Sequence, residues 1–126
     1  MKINNIEHIG IAVNSLCESI PIFEELLGIK CYGTEEISDQ YVKTAFFKIG
    51  NTKIELLEST NPEGPISSFL EKKGPGIHHI AFAVDNTDNS LNEVYEKGFK
   101  LIDRTSRKGA ENLKIGFLNP DRKSVV

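Results

Sequence analysis

The chain opens on a strict alternation. Across residues 5–13, Ile9, Ile11 and Val13 fall on one side while His8, Gly10 and Ala12 fall on the other, the period of two expected of a β-strand. The pattern returns at 77–84, where Ile80, Phe82 and Val84 oppose His79, Ala81 and Ala83. Each strand so predicted has a bulky face and a face of small residues headed by a histidine. A bulky face needs cover, and a helical stripe follows each strand. One spans roughly 16–27, with Ile20, Phe23, Leu26 and Leu27; the other spans roughly 87–97, with Leu91, Val94 and Tyr95. Ser19 reads as the cap of the first helix, which would keep Pro21 in the first turn. Gly28 and Gly98 stop the two helices. Strands are expected near 30–37, 41–49 and 52–59, with Gly50-Asn51 as a tight turn, and again near 99–104 and 112–118. Residues 61–76, NPEGPISSFLEKKGPG, are punctuated by Pro and Gly around one short helical run at Ile66–Lys72.

The two histidine-headed strands are copies. His8-Ile-Gly-Ile-Ala-Val13 lies over His79-Ile-Ala-Phe-Ala-Val84 at an offset of 79 − 8 = 71 residues. The match continues through Asn14 with Asp85 and Ser19 with Ser90, and through Gly28-Ile29-Lys30 with Gly98-Phe99-Lys100 after a one-residue slip. A duplication in the same element order sets the architecture. The fold class is α+β: one domain, 1–126, of two tandem βαβββ modules, roughly 1–60 and 75–126, linked by 61–74. Their sheets curve around a shared cup lined by the small-residue faces. The symmetry also predicts a last strand after residue 120 carrying a mate of Glu55. The sequence there, Asn119-Pro-Asp-Arg-Lys-Ser-Val-Val126, offers a turn at Asn119-Pro120 that holds Asp121, then Val125 and Val126 as the start of a strand. No carboxylate follows, so the last strand reads as incomplete.

Composition narrows the class. A chain of 126 residues is one domain by length. With 39% hydrophobic and 26% charged residues it is neither a disordered tail, a collagen-like chain nor a coiled coil. A net charge of −3 gives no basic surplus for nucleic acid. No apolar run approaches the ~20 residues of a membrane span, and MKINNIEHIGIAV lacks a signal-peptide layout. Cys17 and Cys31 are too few for a disulfide framework and read as free thiols in a reducing cytoplasm.

The candidate chemistry lies on the small-residue faces. A lone strand histidine is usually structural, but His8 and His79 occupy equivalent places in a repeat, and their small neighbours leave room above each imidazole. His78 points to the opposite face and reads as structural. In Thr52-Lys-Ile-Glu-Leu-Leu-Glu58, Lys53, Glu55 and Leu57 share a side. Glu55, mid-strand among apolar residues, is either a Glu on a solvated face or a metal ligand. Two neutral imidazoles and a carboxylate suit a divalent first-row cation with room for water or substrate. No CxxC or HExxH spacing, serine elbow or phosphate loop is present.

These residues resemble the vicinal-oxygen-chelate superfamily, most closely its methylmalonyl-CoA epimerase branch. The similar stretches are HIGIAV (8–13), GNTKIELLEST (50–60), GPGIHHIAFAV (74–84) and GAENLKIGFLNP (109–120). HIGIAV alone is shared with glyoxalases and ring-cleaving dioxygenases; the combination is more specific. The resemblance implies paired βαβββ modules, a homodimer and a divalent metal, cobalt foremost, with manganese, zinc or nickel as substitutes. It implies interconversion of (R)- and (S)-methylmalonyl-CoA through an enediolate, whose charge a chelated cation stabilises. By position, His8 and His79 match metal ligands and Glu55 a third. The family's fourth ligand is a Glu in the final strand after a motif like HPKS-x-x-GVLIEL, and DRKSVV stands there instead, an ending that would weaken the activity. Thr44, with Lys43 beside it, falls where some members carry a catalytic Glu. Glu55 and the Thr44 region are therefore the catalytic candidates, and the base is unassigned. Lys72 and Lys73 are the lysines considered for coenzyme A phosphates. The alternatives on the same fold are a glyoxalase-type lyase acting on a glutathione hemithioacetal, a non-catalytic binding protein and a structural dimer module.

Overall fold

The computed structural model describes residues 1–123. The elements in chain order are β1 (Ile3–Ala12), α1 (Leu16–Leu27), β2 (Gly33–Ile37), β3 (Val42–Ile49), β4 (Thr52–Ser59), α2 (Pro65–Lys73), β5 (Gly76–Val84), α3 (Thr87–Glu96), β6 (Phe99–Leu101), β7 (Arg107–Lys108), β8 (Lys114–Ile115) and β9 (Leu118–Lys123). The class is α+β, with an open, curved five-stranded sheet ordered β2-β3-β4-β1-β5 and two-stranded ladders β6-β9 and β7-β8. The chain forms two compact units, Asn5–Ala83 and Met1–Asn4 together with the chain from Val84.

In the larger unit, β1 and β4 run parallel, with Ile9 opposite Ile54 and Ile11 opposite Leu56. β2-β3 and β3-β4 are antiparallel. The Gly50-Asn51 turn joins Ile49 to its partner Thr52, with Gly50 at φ 59°, the left-handed region that glycine enters without a Cβ clash. One sheet face buries Val13, Ala45, Phe47 and Leu56 against Leu16 of α1, with Ile20, Phe23 and Leu27 packed on them. Burying such a side chain contributes about 1.5–3 kcal/mol. The α1 stripe is thus 16, 20, 23 and 27. Leu26, expected in it, lies about 90° away at 100° per residue and is exposed.

The cap of α1 also differs from expectation. Ser15, not Ser19, accepts the N–H of Glu18, and the N–H of Leu16 donates to Glu58 Oε1 at 2.7 Å. Pro21 therefore sits inside the helix, beyond its first turn. The bond it omits would have reached the carbonyl of Cys17, an exposed residue whose carbonyl water can serve. Gly28 ends the helix at φ 69°.

In the smaller unit, Asn86 caps α3 by accepting the N–H of Asn89, and α3 buries Leu91 and Val94 and packs on β6. Tyr95, expected in the stripe, is exposed, with the Arg104 guanidinium 4.2 Å above its ring. The strand expected at 99–104 stops at Leu101, and Asp103 instead accepts the N–H of Phe117 at 2.8 Å. The strand expected at 112–118 is broken. A short 3-10 turn, Ala110–Asn112, places Glu111 and Asn112 at φ 56° and 66°, which no extended ladder accommodates. Asn119-Pro120 is not a turn: both residues, and Asp121, lie within β9. The register jumps between Phe99↔Lys123 and Leu101↔Leu118, as a ladder does around a proline that lacks an N–H. Val125 and Val126 lie outside the described residues. On β5, Ile80 and Phe82 were expected beneath a helix and are exposed.

Candidate functional site

The sheet face opposite α1 is assembled by register. His8 lies opposite Lys53, Gly10 opposite Glu55 and Ala12 opposite Leu57. Glu55 lies opposite Phe46 and Leu57 opposite Thr44 on β3, and Thr44 lies opposite Glu35 on β2. Directly opposed residues point to the same face. That face therefore carries His8, Lys53, Glu55, Thr44 and Glu35. Thr44, Phe46, Lys53, Glu55 and Leu57 are all buried.

The imidazoles of His8 and His79 meet on it. Their Nε2 atoms are 2.9 Å apart and their rings stand edge to face, with centroids at 5.0 Å. Gly10 makes this possible, since a Cβ there would lie 2.4 Å from His79 Cε1. On its other edge His8 Nδ1 lies 2.6 Å from Glu7 Oε1 and 3.3 Å from Glu55 Oε2. Lys53 Nζ is 2.8 Å from Glu7 Oε2 and 3.9 Å from Glu55 Oε2. A buried ammonium is tolerable only with such partners. His78, expected to point away, brings Nδ1 to 2.9 Å from Nδ1 of His79, and its ring packs edge-on against Phe69.

Burial pushes His79 down to about 3, helped by the neighbouring His8 and His78, and burial likewise lowers His78. Burial raises Glu7, but hydrogen bonds from Lys53 and His8 outweigh it and the net shift is downward. At neutral pH the site thus holds neutral imidazoles at His78 and His79 and an ionised Glu7.

This donor set fits a divalent first-row cation. Metal–imidazole bonds of about 2.0–2.1 Å at a right angle place their nitrogens about 2.9 Å apart, which is the His8–His79 separation. Ligand atoms of Glu7, His8 and Glu55 also lie within 4.8 Å of one another. Of the three residues singled out by sequence as ligands, His8 and His79 face each other, while Glu55 touches His8 at the opposite ring edge. Thr44 is buried one strand over and has no carboxylate; the carboxylate opposite it is Glu35. Lys72 and Lys73 are exposed in the last turn of α2. Sequence reasoning missed Glu7, Glu35 and the inward turn of His78; alternation had placed Lys53 on the face of Glu55 but given it no role.

No helix among the described residues is long and apolar enough to cross a membrane. The chain is 40% identical over 117 residues to protein YqjC of Bacillus subtilis (strain 168), covering 93% of this chain and 84% of that one. It is 32% identical to the ethylmalonyl-CoA/methylmalonyl-CoA epimerase of Cereibacter sphaeroides, covering 94% and 90%. A structure of a variant Streptomyces coelicolor methylmalonyl-CoA epimerase in complex with 2-nitronate-propionyl-CoA superposes with a TM-score of 0.90 at 30% identity, covering 94% and 87%. Residues 7–117, which include both histidine-headed copies, match a single family description. The chain belongs to the Glyoxalase/Bleomycin resistance protein/Dioxygenase superfamily.

Proposed function

We propose that the chain is a metal-dependent isomerase that interconverts (R)- and (S)-methylmalonyl-CoA or a related acyl-CoA. The observation that carries the proposal is the His8–His79 pair, two imidazoles with Nε2 atoms 2.9 Å apart on a buried, carboxylate-bearing sheet face. His8 and His79 are the residues that would hold the cation, and Glu55, now against the Nδ1 edge of His8, would join them only by turning from that edge. Bound there, a divalent ion would supply Lewis acidity where negative charge builds on the thioester oxygen as the α-hydrogen leaves.

The chain's own groups prepare that step. Glu7 Oε1, 2.6 Å from His8 Nδ1, holds that edge of the ring and turns Nε2 towards His79. Lys53 holds the carboxylates of Glu7 and Glu55 in place. Gly10 keeps the space that the His79 ring enters. Epimerisation removes a proton on one face and returns it on the other, so two acid–base groups are needed. Thr44 cannot be one of them at neutral pH. Glu55 and Glu35 are the carboxylates in register on this face, and we assign them as the pair to test. Exposed Ile80 and Phe82 support a homodimer, working in the cytoplasm.

The test is deuterium incorporation at the α-carbon of methylmalonyl-CoA in D2O, metal-free and with cobalt, manganese, zinc or nickel. Exchange should be slow, metal-dependent and lost in His8→Ala and His79→Ala. A metal-loaded protein that exchanges no α-proton refutes the epimerase, and formation of lactoylglutathione in its place would identify a lyase.

A further inference from the structure

One row of residues crosses the buried face of the larger unit, from the imidazoles to β2. Gly10 lies opposite Glu55, Glu55 opposite Phe46, and Phe46 opposite Gly33. At one end the His79 ring stands over Gly10, where a Cβ would come within 2.4 Å of it. At the other end is an aromatic pair: the Tyr32 ring stacks on the Phe46 ring, with 5.5 Å between centroids and 22° between planes. The geometry of a β-bulge puts Tyr32 there. Its N–H donates to the carbonyl of Phe46 at 3.0 Å although Gly33 is the residue paired with Phe46, so two residues of one strand face one of the next. Bulges re-aim side chains. This one lays Tyr32 on the face that carries Glu55, while Cys31 before it packs into the core on the α1 side. Phe46 is 3% exposed and Tyr32 is 49% exposed. Beside Tyr32, Gly33 has no side chain, and a Cβ built there meets nothing within 4 Å outside its chain neighbours. The row therefore ends in an aromatic wall with open space next to it.

The α-carbon of a substituted malonyl thioester carries a hydrogen, a carboxylate, a thioester carbonyl and one apolar substituent. When the carboxylate and carbonyl oxygens both turn towards the imidazole pair, the α-carbon lies on their far side. Its substituent then points onward along the row, over Glu55 towards Phe46. From the strand of Gly10 to the strand of Phe46 is two strand spacings, about 10 Å. The carboxylate of Glu55 offers that substituent no apolar contact, whereas the aromatic pair does. We infer that Tyr32, laid on Phe46 and flanked by the open position at Gly33, is a specificity-determining residue that receives the α-substituent of the acyl group. The inference rests on the acyl-CoA reading above. It adds to that reading the residues that tell a methyl-bearing thioester from its unsubstituted and longer homologues.

The test is a calorimetric titration, in the presence of Co2+, with 2-nitronate-propionyl-CoA and with 2-nitronate-acetyl-CoA, which lacks the methyl group. Wild type should bind the methyl-bearing ligand about 10-fold more tightly, the low end of what one such carbon is worth in an apolar pocket. Tyr32→Ala should bring the two affinities together, and Tyr32→Phe, which keeps the ring, should restore the preference. Gly33→Val leaves the stack in place and fills the space beside it, so it tests the position even where Tyr32→Ala does not fold. It should shift α-proton exchange in D2O against ethylmalonyl-CoA relative to methylmalonyl-CoA by about 10-fold. Equal binding of the two nitronates by wild type overturns the inference. So does an equal loss of both in Tyr32→Ala, which would make the stack a support for the sheet alone. A loss of preference in Tyr32→Phe as large as in Tyr32→Ala overturns the apolar contact, and an unchanged ethyl-to-methyl ratio in Gly33→Val overturns its placement. A wild type that binds neither nitronate and exchanges no α-proton removes the epimerase reading itself, a failure distinct from that of Tyr32.

Discussion

In the unit Asn5–Ala83, β3 and β4 pair residue by residue from Val42↔Ser59 to Ile49↔Thr52 without a break. From Val84 onward the ladders are short, with three residues in β6 and two each in β7 and β8, and the β6-β9 register jumps. Among the described residues the first unit buries Phe46, Phe47, Leu56 and Leu57, and the second Leu91 and Val94. The copies begin with the same histidine-headed strand, yet both histidines end in the first unit, because β5 adds to the sheet beside β1. Among the described residues, Glu7, His8, Lys53, Glu55, His78 and His79 of the imidazole–carboxylate cluster all come from that unit. Buried charges such as Lys53 and Glu55 need a frame that cannot slip, and a long regular ladder supplies one.

Core truncation gives the largest test of that contrast. Phe47→Ala should cost about 3–5 kcal/mol in urea unfolding, and Leu91→Ala about 2. A larger loss at Leu91 would invert the comparison. Next come two glycines that each meet a side chain. Gly10→Ala drives a Cβ into the His79 ring, at 2.4 Å from Cε1, whereas Gly116→Ala meets the tip of Leu91 at 2.7 Å. The ring is held on both edges and the leucine tip is not. Gly10→Ala should cost about 1–3 kcal/mol and abolish cation binding; Gly116→Ala should leave cation affinity unchanged. Loss of cation binding in Gly116→Ala would show that the second unit shapes the site.

The smallest effect is a pH dependence. His79 has a folded pKa of about 3 against an ordinary 6.5, so the unfolded chain binds its proton first as pH falls. Its contribution to stability is complete above about pH 6.5 and is lost on descent towards 3, by at most about 1.4 kcal/mol per pH unit for one proton. His78 acts in the same direction. Glu7, lowered from 4.5, adds a loss only at more acidic pH. Stability should therefore fall between pH 6.5 and 5, less steeply in His79→Gln, and hydrogen exchange should show β3 and β4 weakening with it. A wild-type stability that is flat or rises over that interval would contradict the buried neutral imidazole.

Much of the first unit was legible in the sequence because burial there follows alternation. Ile11 and Leu56 on one face, and His8 and Glu55 on the other, are where a period of two puts them. The repeat paired His8 with His79 before any distance was known. Alternation fixes where a Cβ leaves the strand, not where a ring nitrogen ends. Rotation about χ1 and χ2 brings His78 Nδ1 back to its neighbour, and the reach of Glu7 lets it grasp His8 from an adjacent position. Ser15 was hidden for another reason: Ser19 carried the same capping chemistry near Pro21, and only the position of Glu58 against Leu16 separates the two. After Leu101 the reading failed because left-handed residues at Glu111 and Asn112 and a proline inside β9 break the ladders locally, where periodicity has too few residues to register.

The Gly50-Asn51 link works as a gauge for the whole site. Lys53 and Glu55 follow it by so few residues that its length alone decides which way they point. One residue inserted there, with the downstream pairing otherwise slid along, would trade Lys53 and Glu55 for Ile54 and Leu56. Two charges would then press into Phe23 and Leu27, and two aliphatic chains would confront His8. Lengthening of this hairpin is consequently compatible with the fold only in steps of two, or outside the ladder altogether.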